Sequence, residues 1–301
     1  MAEPPVENTH TLLHFVDGSL AWAGHYLHEG THPVHTHSFV EIAVVMAGAG
    51  AHHTLAGERE LRVGDVMVLR PGVWHGYEKA RGLDLYNCCF STDLLARELA
   101  WTREDPWIGH LLWTGPYSGQ RRGILTSHLD PSGLDECVRH LDALHEMRTM
   151  PVETHRGDIV GWLSLVLSAM ARAVARTSPE PVGRPETHPA VLTAMRMLEE
   201  RPDHPWTLTG LAASLHLAPG YLVRLFKSAT GLPPMAYLSR QRVELAAERL
   251  LHSDEPISRI GESVGWPDQN YFARRFRSHY GLSASTYRAR FTKTVKRLQV
   301  S

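Results

Sequence analysis

Two stretches near the C-terminus carry the same order of elements: a short apolar helical face, a turn, a second helix with a Leu/Phe-x3-Phe core, and a glycine stop. In the first, Thr207 is placed to cap a helix burying Leu208, Leu211, Ala212 and Leu215, and Leu217-Ala218-Pro219 turns the chain. The next helix, about Pro219 to Thr230, buries Leu222, Leu225 and Phe226 and stops at Gly231. In the second, Ile257, Ile260 and Val264 form the short face, and Gly265-Trp266-Pro267-Asp268 the turn. Its second helix, Asp268 to Tyr280, buries Phe272 and Phe276 and stops at Gly281. A helix over about Pro189–Arg201 precedes the pair, and a long one from about Pro234 to Leu251 joins its halves.

An α-helix fits the major groove of B-DNA, with the preceding helix bracing it against the backbone. Such a helix needs one apolar face and an opposite face that reaches base edges. Val223, Arg224 and Lys227 lie opposite the first core, and Gln269, Asn270, Arg274 and Arg277 opposite the second. Arginine pairs bidentately with guanine, Gln or Asn with adenine, and Val touches the thymine methyl. Arg240, Arg242, Arg275 and Arg288 are expected at phosphates. Charge agrees: His188–Ser301 holds 16 Lys/Arg against 9 Asp/Glu, whereas the rest of the chain is net acidic.

This stretch, about Pro189–Phe291, resembles the AraC/XylS family of transcription regulators. The resemblance rests on Arg224-Leu225-Phe226-Lys227, Gly231, Tyr237-Leu238 and Arg242 in the first half. In the second it rests on Ile257-x2-Ile260, Val264-Gly265-Trp266, Asp268-Gln269, Tyr271-Phe272, Arg274, Phe276-Arg277, Gly281 and Tyr287-Arg288. It implies two helix-turn-helix units on a joining helix, reading successive major-groove segments on one DNA face. Ala218 replaces the usual capping Ser, and Gly220 removes a side chain, so the first unit is expected to contribute less specificity. Trp266 and Ala284 replace the usual Phe and Pro.

The N-terminal part reads differently. From Leu12 to about Leu125, short apolar stretches such as Val40–Met46 and Val66–Leu69 are bounded by glycine and proline turns, which predicts strands in a small barrel or sandwich. Fifteen of the 20 histidines precede His188. His35, His37 and Glu41 have one strand parity, and His75 follows the turn Arg70–Trp74. Three imidazoles and a carboxylate in a barrel suit a divalent metal with open positions, such as Zn, Ni, Fe or Mn. Gly30-x4-His35-x-His37-x3-Glu41-x6-Gly48 and Gly64-x7-Gly72-x2-His75 resemble the two cupin motifs, with Arg70 in place of a usual Pro and Lys79 of a usual Asn. The resemblance implies His35, His37, Glu41 and His75 as metal ligands. A polar ligand pocket without metal, or buried structural histidines, are the alternatives. His32, His52 and His53 are expected at the surface or rim. Trp22, Tyr26, Trp74 and Tyr86 either line a pocket or are core.

Leu134, Val138, Leu141, Leu144 and Met147 predict a helix that Pro151 ends, and Ile159, Leu163, Val166, Leu167, Met170 and Val174 a second. That apolar run is too short and polar to span a bilayer. The N-terminus lacks a signal-peptide pattern, and Cys88, Cys89 and Cys137 have no paired spacing, which fits a reducing cytoplasm.

The fold class expected is therefore α+β: a cupin-like β-barrel sensor at 12–125, a helical dimerisation segment at 134–176, a linker at 177–187, and an all-α double helix-turn-helix domain at 188–292. The function expected is a cytoplasmic, non-enzymatic DNA-binding regulator, homodimeric, answering a small-molecule effector, with RNA polymerase as a further partner and no membrane. The alternatives are a metal-dependent cupin enzyme fused to a DNA-binding module and a repressor that answers the metal alone.

Overall fold

The computed structural model describes residues 11–12, 20–117, 121–177 and 188–292. The expected linker lies outside the described residues from 178 to 187. The N-terminal half is one sheet of β1 (Thr11–Leu12), β2 (Ala21–His37), β3 (Val40–Thr54), β4 (Gly57–Leu61), β5 (Asp65–Leu69), β6 (His75–Phe90) and β7 (Ile124–His128). The order is β1-β2-β6-β3-β5-β7 with β4 on β3, antiparallel except for β1 against β2. Strand β3 is buried without a break from Val40 to Val45 because β6 and β5 flank it and both its faces are covered. Alternation sorts the faces. Ile42 and Val44 pack with Val66, Val68, Tyr86 and Cys88 toward the helices, while Ala43 and Val45 pack with Met67, Leu69, Tyr77 and Leu85 on the other side. Glu41 shares parity with this second face.

Between β6 and β7 the strand expectation fails. The chain runs through α1 (Thr92–Ala96), α2 (Pro106–Gly109) and short 3-10 and π turns to Tyr117. Local capping explains it: Ser91 Oγ accepts from the Leu94 N–H, and Asp105 accepts from those of Trp107 and Ile108. Leu94, Leu95, Ile108, Leu111 and Leu112 then bury on one side.

Helix α3 (Pro131–Glu146), capped by Asp130, and α4 (Val152–Thr177) cover the sheet. The apolar face of α4 is buried as its periodicity predicts: Ile159, Leu163, Val166, Leu167 and Met170. The helix extends beyond that run, and over Val152–Arg176 it is long and apolar enough to cross a bilayer; 56% of its most apolar window is packed inside the protein, as in an ordinary core helix.

The C-terminal half is α5 (Pro189–Glu200), α6 (Leu208–Ser214), α7 (Pro219–Thr230), α8 (Pro234–His252), α9 (Ile257–Ser263), α10 (Gln269–Tyr280) and α11 (Ala284–Phe291). The two helix-turn-helix units are α6–α7 and α9–α10. Their stops are conformational twins fifty residues apart: Gly231 at φ 77 donates its N–H to the Lys227 carbonyl, and Gly281 at φ 76 to that of Arg277. Only glycine adopts this left-handed cap without a Cβ penalty. The halves also share packing. One apolar core runs from the sheet through α3 and α4 into α5–α8, and a second joins α8–α11 to Val34 and Trp74 of the sheet domain.

Candidate effector site and nucleic-acid interface

The end of β2 and the start of β6 pair His35 with His75, and β3 brings Glu41 alongside. Of the four expected ligands, His37, Glu41 and His75 gather with donor atoms within 4.8 Å of one another, and His35 packs beside His75 at the edge of that group. His75 Nε2 lies 2.8 Å from His35 Nε2 and 3.6 Å from Glu41 Oε2, and His37 Nε2 lies 2.8 Å from the same oxygen. The separations among His37, Glu41 and His75 suit neighbouring donors about 2 Å from one ion. The far nitrogens are tethered: His35 Nδ1 to the Pro33 carbonyl at 3.0 Å and His37 Nδ1 to that of Phe39 at 2.9 Å. This tether aims each Nε2 lone pair at the cluster. Glu41 Oε1 accepts from Asn87 Nδ2 at 2.6 Å, while Glu41 Oε2 and His37 Nε2 make no hydrogen bond although both are buried.

Burial also sets protonation. It drives the His35 pKa down to about 3 and, with neighbouring imidazoles, His75 well below the ordinary range. Burial opposes ionisation of Glu41, but His37 and His35 outweigh it and hold the carboxyl below its usual value. Neutral His35 and His75 imidazoles beside a carboxylate are donors ready for a ligand. His52 corrects the rim expectation: it is 2% exposed, with its ring 5.5 Å from His75 and its Nε2 unpartnered. Strand alternation turns it inward beside Tyr77, whose buried hydroxyl also lacks a partner. Asn87 and Tyr77 were not anticipated; their strand parity with His75 was the available signal. If Asn87 orients Glu41, Asn87→Ala is expected to weaken metal affinity about 10–100-fold, checked by competition with a chromogenic chelator.

His75 is the last residue of a loop that grips the DNA-binding half. Trp74 Nε1 donates to the Tyr280 carbonyl at 3.0 Å, Tyr280 Oη donates to the Pro71 carbonyl at 3.1 Å, and Tyr287 Oη to that of Gly72 at 3.0 Å. Arg70 is buried, pairing with Glu244 of α8 at 3.0 Å and donating to Tyr117 Oη, which bonds the same carboxylate. The departure from the cupin motif at Arg70 is thus a clasp between halves. Trp74 belongs to this contact, and Tyr86 to the core, where its hydroxyl donates to Asp142.

On the two recognition helices, Arg224 and Lys227 of α7 and Gln269, Asn270, Arg274 and Arg277 of α10 are exposed, with Val223 half-buried. Ala218 offers α7 no side-chain cap, whereas Asp268 caps α10 by accepting from Asn270 and Tyr271. Two tyrosines were missed. Tyr221 and Tyr271, each 40% exposed, sit three residues before an arginine, and the guanidinium carbons of Arg224 and Arg274 lie 5.8 and 5.9 Å from their rings. The i, i+3 spacing in both units was the signal. Arg240 stands apart from these, half-buried and donating to the Tyr117 carbonyl at 2.6 Å. Arg242, expected at a phosphate, is instead buried and donates to the carbonyls of Pro202, His204 and Gly265, tying the two units together. Arg275 and Arg288 also bond within the protein, to Ser239 and to the Glu255 carbonyl.

Residues 22–112 match the family described as "AraC-like ligand binding domain", and residues 211–290 that described as "Helix-turn-helix domain". The chain belongs to the AraC family of transcription regulators. This AraC-family regulator is 29% identical over 266 residues to the HTH-type transcriptional activator RhaR of Pectobacterium carotovorum subsp. carotovorum (strain PC1), covering 86% of this chain and 87% of RhaR. It is 30% identical over 103 residues to the RCS-specific HTH-type transcriptional activator RclR of Escherichia coli (strain K12), covering 34% of this chain and 36% of RclR. In fold it is similar to ToxT from Vibrio cholerae, with a TM-score of 0.53 at 12% identity over 91% of this chain and all of that one.

Proposed function

We propose that this AraC-family regulator binds a divalent metal through His35, His37, Glu41 and His75, and that a small polar effector entering beside His52 and Tyr77 alters its hold on duplex DNA. The observation that carries this reading is continuity: the loop ending in ligand His75 is the loop docked on Tyr280 and Tyr287. When bound, the metal would supply a Lewis-acid position for an oxygen-bearing effector. His35 and His37 hold their Nε2 atoms toward the site, and Glu41 balances charge. The unpartnered Tyr77 hydroxyl and His52 Nε2 would then bond the effector. DNA is read by Val223, Arg224, Lys227, Gln269, Asn270, Arg274 and Arg277. The protein acts in the cytoplasm as a homodimer formed through α3 and α4, where Leu165 is 44% exposed.

The test is elemental mass spectrometry of tag-free, metal-replete protein beside a His35→Ala/His37→Ala control, together with DNA affinity with and without metal. Near one equivalent of one metal, lost in the control, and a DNA affinity changed at least about fivefold are expected. A metal-free wild type would remove the metal from the reading and leave DNA binding intact. Arg274→Ala is expected to lose about 1–3 kcal/mol at one base pair and relax specificity there, as measured on a set of singly substituted duplexes. A uniform loss across all of them would make Arg274 a phosphate contact.

A further inference from the structure

Between the turn at 121–123 and helices α8 and α10 lies a cavity of about 220 Å³, lined by Arg122, Arg240, Arg275, Ser239, Ser278 and His279, with no carboxylate in its wall. Arg275 donates twice to Ser239 Oγ, at 3.0 and 2.8 Å, and Arg240 once to the Tyr117 carbonyl. Among the described residues neither guanidinium is paired with a carboxylate. His279 Nε2 is shielded from solvent and has no hydrogen-bond partner. Arg122 holds a left-handed backbone, φ 51, a conformation that persists only where surroundings enforce it. The crowding of positive charge acts on two of these side chains. Burial first, then Arg275 and Arg122, brings the Arg240 pKa down to about 10; burial and the three arginines push His279 down to about 3.

Like charges gathered in a part-buried wall are costly unless an anion joins them. Planar guanidinium forks match the oxygens of a phosphate group, and hydroxyl and imidazole N–H donors complete such a shell. We infer that this pocket between the sensor and the DNA-binding half binds a phosphate group. The phosphate comes either from a free small molecule or from the DNA backbone. The inference is independent of the metal, since no lining residue belongs to the His35/His37/Glu41/His75 cluster.

The experiment is isothermal titration of the full chain with inorganic phosphate at constant ionic strength, with sodium chloride as the control. Saturable one-site binding is expected, weakened at least tenfold in Arg275→Gln and in Ser278→Asp. Ser278 is exposed, so the second variant tests the site without disturbing the fold. Repeating the titration on the protein–duplex complex separates the sources. Phosphate that still binds identifies a small-molecule site. Phosphate excluded by the duplex identifies a backbone contact, and Arg275→Gln then weakens all duplexes alike and lowers the salt slope by about 0.9. Phosphate acting no differently from chloride, or binding both variants as it binds the wild type, overturns the inference.

Discussion

Replacing Glu244 with alanine is expected to destabilise the protein by about 3–5 kcal/mol, because it leaves the buried Arg70 guanidinium without its directly paired carboxylate. Arg70 is 3% exposed and Glu244 5%, so the pair is held largely out of water. The other face of Arg70 meets the rings of Trp113 and Tyr117 at 5.8 and 5.6 Å, which supply attraction but no acceptor to replace the carboxylate. The double replacement Arg70→Met/Glu244→Leu is expected to recover most of the loss, since removing both charges removes the desolvation cost along with the attraction. Urea unfolding monitored by fluorescence and circular dichroism measures both. A single-variant loss under about 1 kcal/mol would mean that the pair is solvated and that the clasp is not what joins the halves.

The second large effect is expected at Gly72. Its φ is +79, and a Cβ there would lie 2.4 Å from Tyr280 Oη and 2.8 Å from the Ala247 Cβ. Tyr280 is held by its bond to the Pro71 carbonyl, so it cannot simply swing away. Gly72→Ala therefore combines a left-handed penalty with overpacking, about 2–4 kcal/mol together, and relief comes from parting the loop from the second helix-turn-helix unit. DNA affinity in this variant is expected to stop responding to metal. Gly30→Ala is the control: its φ of +70 carries the same backbone penalty, but its Cβ would meet nothing within 4 Å. If both variants keep the metal response, the loop does not carry the signal.

The helices of the DNA-binding half were legible because each is punctuated by residues with local chemistry. Thr207 and Asp268 cap, Pro219 opens a first turn, and Gly231 and Gly281 end their helices, each within two residues of the expected place. The clustering of His37, Glu41 and His75 was legible through motif spacing and strand parity. The helical stretch from Thr92 to Tyr117 was not, because its elements are short and it lies between two strands, so no run was long enough to show a period of 3.6. The inward turn of Arg242 and Arg70 was hidden for a different reason. Sequence records that an arginine is present but not whether backbone carbonyls or a buried carboxylate are waiting for it, and those partners lie as far as 174 residues away. His52 was misplaced because a pair of adjacent histidines near a strand end has the same pattern whichever of the two faces the interior.

The three bonds that Arg242 makes have a consequence for the operator. They pin the turn before the first reading unit and the turn inside the second to the same side chain of α8, a helix of 19 residues and so about 28 Å long. The two reading helices are thereby fixed in phase as well as in distance. Each base pair inserted between their target segments rotates one segment by roughly 35° away from its helix. Within one protomer such a phase error has no flexible joint to absorb it. The spacing between the two segments that one chain reads should then be invariant.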